Sequence, residues 1–233
     1  MLNLLYPPVC PMCGRISAER ICLPCREKIR PAAAGAYCLH CGKPLKDEAE
    51  EFCPDCRRTI AENGSAVDQG RSLWVHEGPV PGAVYRFKYN NRRRFGQIFA
   101  EELADRYTGL IRKWEIDEII PVPLHRSRYR KRGYNQAEIL ALKLGVLCGL
   151  PVRTDVLYRI RKTAPQKLLG RRERLRNLRG AFGVRADWKP CRNVLLIDDI
   201  YTTGATLERA ARVLKKAGVQ KVFFLTISIG QGI

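Results

Sequence analysis

Two groups of residues in this 233-residue chain have the types and spacing to do chemistry. The first is a run of four Cys-x-x-Cys pairs: Cys10/Cys13, Cys22/Cys25, Cys38/Cys41 and Cys53/Cys56. A two-residue gap lets both sulfurs of a tight turn converge on one ion, and two such turns complete a tetrahedral thiolate shell. Pro11, Gly14, Pro24, Gly42 and Pro54 beside the pairs suit such turns. The reading is two structural zinc ions, because a four-thiolate shell keeps no open coordination position for catalysis. The spacing leaves open whether successive pairs share an ion or the first joins the third and the second the fourth. An iron–sulfur cluster could use the same ligands, and a disulfide framework would need an oxidising compartment. His40 stands between paired cysteines, but the shells are full without it; Cys148 and Cys191 lie outside the pattern and read as packing residues.

The second group is the string Val194-Leu195-Leu196-Ile197-Asp198-Asp199-Ile200-Tyr201-Thr202-Thr203-Gly204-Ala205-Thr206. A fully apolar strand runs into two carboxylates and a small, hydroxyl-rich turn, and a helix follows. Backbone N–H groups and the hydroxyls of Thr202, Thr203 and Thr206 then surround one point at a helix N-terminus, which favours a phosphate. The adjacent acids would repel that phosphate, so they should turn toward donors such as sugar hydroxyls. Two acids at a strand's carboxyl end also stand where open α/β sheets bind ligands.

The elements that must position these groups follow from periodicity. Residues 1–60 hold eight of the ten cysteines and read as a zinc module; 61–71, polar and small, read as a linker; 72–233 form the second domain. Segments 73–76 and 84–89 fit strand or helix equally. Phe95 to Lys113 carries apolar residues at helical spacing, and Asn135 caps a helix reaching Cys148. Glu118 to Pro123 is a short buried strand, Leu207 to Ala217 a helix stopped by Gly218, and Val222 to Ile227 a last strand. Strands alternating with helices imply an α/β fold, a parallel sheet covered on both faces.

The Asp198–Thr206 string resembles the phosphoribosyl pyrophosphate (PRPP) signature of type I phosphoribosyltransferases. The resemblance implies that Asp198 and Asp199 hold the ribose hydroxyls, that Thr202, Thr203, Gly204, Ala205 and Thr206 hold the 5′-phosphate, and that Mg2+ accompanies PRPP. Tyr201 departs from the usual aliphatic residue. Ile120 to Arg126, including Pro123, Leu124, His125 and Arg126, is similar to the strand and pyrophosphate loop of glutamine amidophosphoribosyltransferases. Arg161 to Gln166, with Arg171 to Asn177, is similar to their mobile catalytic loop and makes Arg161, Thr163 and Gln166 catalytic candidates. Together with Gly133-Tyr134-Asn135-Gln136, Gly180-Ala181-Phe182 and the cysteine module, these stretches identify the chain as a member of the ComF family, with a double zinc ribbon before a type I phosphoribosyltransferase-like domain.

Charge adds a third theme. Lys and Arg number 42 against 23 Asp and Glu, a net +19, which draws polyanions. Arg126, Arg128, Arg130, Lys131 and Arg132, and then Arg171, Arg172, Arg174 and Arg176, crowd the middle of the chain. One PRPP needs only a few cations, so the surplus points to a longer polyanion, with Tyr129 and Tyr134 able to stack single-stranded bases. A strand crossing these arginines is expected to pass over the phosphate turn and compete with PRPP. No segment approaches the ~18 apolar residues of a membrane helix, and the start lacks a basic n-region, so a cytoplasmic protein is expected. The resemblance implies a role in DNA uptake during natural transformation, on single-stranded DNA and beside a helicase-like partner. An active phosphoribosyltransferase with an unidentified acceptor is the alternative, and a zinc module serving chiefly to dock the helicase is a third reading.

Overall fold

The computed structural model describes residues 7–160 and 180–230. In chain order these form helices α1 (Leu23–Arg26) and α2 (Pro54–Asn63), strand β1 (Gln69–Val75), helices α3 (Val80–Tyr89) and α4 (Phe95–Lys113), and strand β2 (Glu118–Pro121). Helices α5 (Arg126–Arg132) and α6 (Gln136–Cys148), strands β3 (Leu157–Arg159), β4 (Phe182–Val184) and β5 (Asn193–Tyr201), helix α7 (Ala205–Lys216) and strand β6 (Lys221–Ile229) follow. Four strands pair in parallel in the order β1-β6-β5-β2, while β3 and β4 make a separate antiparallel pair.

The sheet is apolar on both faces because successive side chains alternate sides. On β5, Leu195 and Ile197 join a core with α3, α4 and α6, whereas Val194 and Leu196 join one with α7. The two ambiguous segments divide accordingly. Residues 69–75 are extended because they pair with β6, and 80–89 are helical, with Val80, Ala83, Val84 and Phe87 buried along one stripe. The Phe95–Lys113 helix has the bounds its periodicity predicts. Asn135 caps α6 by accepting from Ala137 N at 3.2 Å.

The two cysteine ribbons straddle the β1 edge of the sheet. Cys10, Met12, Ile21 and Cys25 pack into the α3/α4/α6 core, whereas Cys38, Cys41, Cys53 and Cys56 pack into the α7 core on the other face. The first ribbon is pinned to α4 by a bidentate Arg26–Glu102 pair at 2.7 and 2.8 Å. Chain between the ribbons continues the sheet, with Ala32 N donating to Leu73 O at 3.0 Å and Val75 N to Arg30 O at 2.9 Å. Residues 64–68 are bonded to the body of the protein as well: Ala66 N donates to Glu208 at 2.8 Å and Asp68 N to Val222 O at 2.8 Å.

Candidate metal centres and phosphate site

Both ribbons are built from the same two parts. The leading pair lies in a hairpin knuckle: Cys10 N donates to Arg15 O (2.9 Å) and Gly14 N to Cys10 O (2.8 Å). Cys38 N likewise donates to Lys43 O (2.7 Å) and Gly42 N to Cys38 O (2.8 Å). Gly14 and Gly42, at φ of 80° and 74°, take the left-handed turn that glycine enters without steric cost. The trailing pair lies on the first turn of a helix, where Cys22 and Cys53 are the N-cap residues of α1 and α2 and a proline follows early in each.

Successive pairs, not crossed ones, come together. The sulfurs of Cys10, Cys13, Cys22 and Cys25 lie within 4.8 Å of one another, as do those of Cys38, Cys41, Cys53 and Cys56. Cys13 and Cys22 are 3.7 Å apart and Cys41 and Cys53 3.8 Å. A tetrahedron of sulfurs at the usual zinc–sulfur length of ~2.3 Å has an edge of ~3.8 Å, so the donor sets fit zinc. These are two four-cysteine zinc sites, one on each face of the sheet. They differ in exposure, since Cys13 is open to solvent and all four cysteines of the second site are buried. His40 lies in the second knuckle but contacts Ser65 Oγ at 3.2 Å. Cys148 and Cys191, both partly buried, stand outside either cluster.

The acid pair sits at the carboxyl end of the central strand β5. Register carries that strand on to Tyr201, paired with Ile229, four residues beyond the apolar stretch legible in the sequence. Thr202, exposed, and Thr203 then lead to Gly204, the left-handed residue (φ 74°) that caps α7. Ala205 and Thr206 open that helix, whose first N–H groups have no intrahelical acceptor. Beside this turn, β2 delivers Pro123, Leu124, His125 and Arg126. Pro121 is in register with Ile197, and Val122 N donates to Ile197 O at 2.9 Å. His125 caps α5 by accepting from Ser127 N at 3.2 Å.

Cations surround the two acids. Lys88, at the end of α3, makes an ion pair with Asp199. Burial pushes the Asp198 carboxyl up to about 6, against the opposing pull of Lys88, Arg159 and Arg132. Arg159 on β3 is pushed down to about 10, by burial first and then by Arg128, and its guanidinium lies over the Phe182 ring, 5.3 Å from the centroid. Arg128 is also depressed by burial, with Arg132 adding to the effect. Three cations on two carboxylates, with Arg128 close by, leave a positive site that can take an anion beside groups that accept from hydroxyls. Lys88 and Arg159 were not singled out from sequence as site residues. Lys88 comes from a helix whose end meets β5 only through the fold, and Arg159 was one arginine among many.

Of the basic candidates, Arg128, Arg130, Lys131 and Arg132 lie on α5, with Arg130 and Lys131 exposed. Arg161, Thr163, Gln166, Arg171, Arg172, Arg174 and Arg176 lie outside the described residues. Tyr134 is not available to stack bases. It is 4% exposed, and its hydroxyl donates to Phe87 O. Asn135 Nδ2 donates to Val122 O (3.0 Å) and Gln136 Nε2 to Lys88 O (3.3 Å), so this motif braces α3 and the β2 loop. Arg92, Arg93 and Arg94, exposed between α3 and α4, are a basic cluster that the sequence reading passed over.

Comparison with known proteins agrees with this architecture. Residues 1–57 match the double zinc ribbon domain and residues 130–228 the phosphoribosyl transferase domain. The chain is 31% identical over 212 residues to competence protein F of Haemophilus influenzae, covering 89% of each chain. It is 29% identical over 203 residues to competence protein ComFC of Bacillus subtilis, covering 86% of this chain and 80% of that one. With DNA utilization protein YhgH of Salmonella typhimurium it shares 29% identity over 227 residues, covering 95% and 90%.

Proposed function

Because the chain belongs to the competence protein F family, we propose that it is an accessory protein of DNA uptake in natural transformation, acting in the cytoplasm on single-stranded DNA and binding PRPP with Mg2+. The observation that carries the ligand half of this reading is the acid pair Asp198–Asp199 with Lys88, Arg132 and Arg159 around it, directly before a hydroxyl-rich helix start. Carboxylates accept from ribose hydroxyls, the turn from Thr202 to Thr206 cradles the 5′-phosphate, and the arginines with the loop Pro123–Arg126 face the diphosphate. Mg2+ binds through one or two carboxylates plus phosphate oxygens, a donor set this site offers once the ligand is present.

The DNA half rests on the net charge of +19 and on what the relatives are named for. A helicase-like protein is the partner expected beside it, and the zinc ribbons, one on each face of the sheet edge, are the surface left for docking it.

Titration calorimetry with PRPP–Mg2+ tests the ligand. Replacing Asp198 and Asp199 together by Asn removes charged acceptors worth about 1.5–3 kcal/mol each, so affinity should fall at least tenfold with the fold intact. Equal affinity in wild type and double variant would move the ligand elsewhere. The second reading, phosphoribosyl transfer to an acceptor, is favoured by the position of Arg159 beside Asp198, two residues before the candidate Arg161. Acceptor-dependent release of pyrophosphate from PRPP would establish it.

A further inference from the structure

Helix α5 has two chemically different sides. Arg132 faces the acid pair, acting on Asp198 and lying over the Tyr89 ring, 4.6 Å from its centroid, and Arg128, one turn before it, lies near Arg132 and Arg159. Tyr129, the next residue along, faces away from them into an open cleft of about 430 Å³. That cleft is lined also by Arg93, Arg94, Glu138 and Lys143, with the buried Tyr134 beneath. Its walls come from segments distant in sequence, the turn at 91–94, α5 and α6.

The cleft is built and charged before any ligand arrives. Arg93 clamps its turn to the end of α5, stacking over Tyr134 at 4.9 Å and donating to Gly133 O at 3.3 Å and Asn91 Oδ1 at 3.0 Å. Around it Arg92, Arg94, Arg130, Lys131 and Lys143 are exposed, and among the described residues none of them pairs with a carboxylate. Glu138 is the one acid in the lining among the described residues. Tyr129 is 48% exposed, which leaves a ring face free.

We infer that this cleft is the binding lane for single-stranded DNA, and that α5 is a wall dividing it from the phosphate site. The inference rests on the proposed DNA-binding role and gives it a location. Spaced cations not neutralised by carboxylates suit consecutive backbone phosphates, and an exposed tyrosine among them offers a platform for an unpaired base. A duplex has its base faces already stacked and cannot use that ring. The competition with PRPP expected from the sequence does not follow from this geometry: a strand against Tyr129 leaves the acid pair on the other side of α5 open. Both ligands bind at once.

The test is fluorescence anisotropy of the full-length zinc-loaded protein with a labelled oligodeoxythymidylate of about 16 nucleotides, over a salt series, with and without saturating PRPP–Mg2+. In Arg94→Ala/Lys143→Ala the log–log salt slope should shrink by about 0.7 per lost phosphate contact, about 1.4 in all. Tyr129→Ala should weaken binding about tenfold while Tyr129→Phe keeps it. PRPP–Mg2+ should change the DNA affinity less than about twofold, and the Arg94/Lys143 variant should bind PRPP as wild type does. If wild type binds the oligonucleotide and the variants match it in slope and affinity, the cleft is not the lane, although the DNA-binding reading stands. Displacement of the strand by PRPP–Mg2+ would overturn the dividing role of α5. Wild type that fails to bind at low salt would overturn the DNA-binding reading itself.

Discussion

The rings of Tyr201 and Phe224 stack with centroids 4.9 Å apart and planes 9° from parallel, and a glycine closes each end of the stack. A Cβ on Gly70 would lie 2.1 Å from the Phe224 ring, and one on Gly204 2.5 Å from the Tyr201 hydroxyl. The stack therefore runs from the β1 edge strand to the turn that opens α7, through a core that also holds the second cysteine cluster. Tyr201, the residue that departs from the resemblance, is the one that packs against the Thr202–Thr206 turn.

Gly204→Ala should accordingly fail for two reasons. A left-handed φ of 74° costs a Cβ-bearing residue about 1–2 kcal/mol, and the new methyl meets the phenol ring. Thermal unfolding and PRPP calorimetry should both register the loss. In a Tyr201→Leu background the steric part should be relieved and only the backbone part persist. A cost that is the same in both backgrounds would mean the ring is not what excludes a side chain there.

The two zinc sites should differ in what they support. Cys56 borders the same small cavity of about 30 Å³ as Thr203, Gly204 and His40, and Ser65 Oγ joins His40 (3.2 Å) to Glu208 on the first turn of α7 (2.9 Å). Cys13 is exposed on the other ribbon. Metal analysis should give two zinc per chain in wild type and one in either Cys13→Ser or Cys56→Ser. Hydrogen exchange at residues 201–206 should quicken only in Cys56→Ser. Equal quickening in both would show that the ribbons act as one unit.

The raised Asp198 carboxyl sets a pH dependence. Its folded pKa of about 6 lies above the ordinary value of 3.8, so the folded state takes up a proton across that interval. Ionised Asp198 thus detracts from stability above about pH 6, and the penalty fades as the pH falls toward 4. Asp198→Asn should be more stable than wild type at pH 8 and equal to it near pH 4, by urea unfolding. On the proposed reading PRPP–Mg2+ needs the ionised form, so its binding should weaken about tenfold per pH unit below 6. A flat profile from pH 5 to 8 would contradict this.

Lys88 and Asp199 are both largely buried, at 18% and 14% side-chain exposure. Removing one charge from such a pair strands the other, which costs about 3 kcal/mol where the pair is well buried. Lys88→Met should destabilise by up to that amount, and Lys88→Met/Asp199→Asn should recover most of it. A double variant no better than the single would show that Asp199 draws its support from elsewhere.

The zinc sites and the acid-pair strand were legible in the sequence because local spacing carries both. Cys-x-x-Cys brings two sulfurs together within one turn whatever the rest of the chain does, and Val194 to Ile197 followed by two Asp is a buried strand with a polar end in any α/β fold. The helix from Phe95 to Lys113 was legible for the same reason, since its period is a property of consecutive residues. Which cysteine pairs share an ion was not, because hairpin and helix geometry had to choose between two sets of equal spacing.

Only the tertiary structure decided what stands around the acids. Lys88 lies 111 positions before Asp199, a separation that no local pattern spans. Local pattern could not separate Arg132, turned toward the acids, from Tyr129, turned toward the cleft, since the division depends on which face of a seven-residue helix meets the sheet. Tyr134 and Tyr129 read alike in sequence, yet one is buried with its hydroxyl bonded to Phe87 and the other stands in solvent. Residue type and spacing set what chemistry a chain can do; long-range packing sets which copies of each residue are placed to do it.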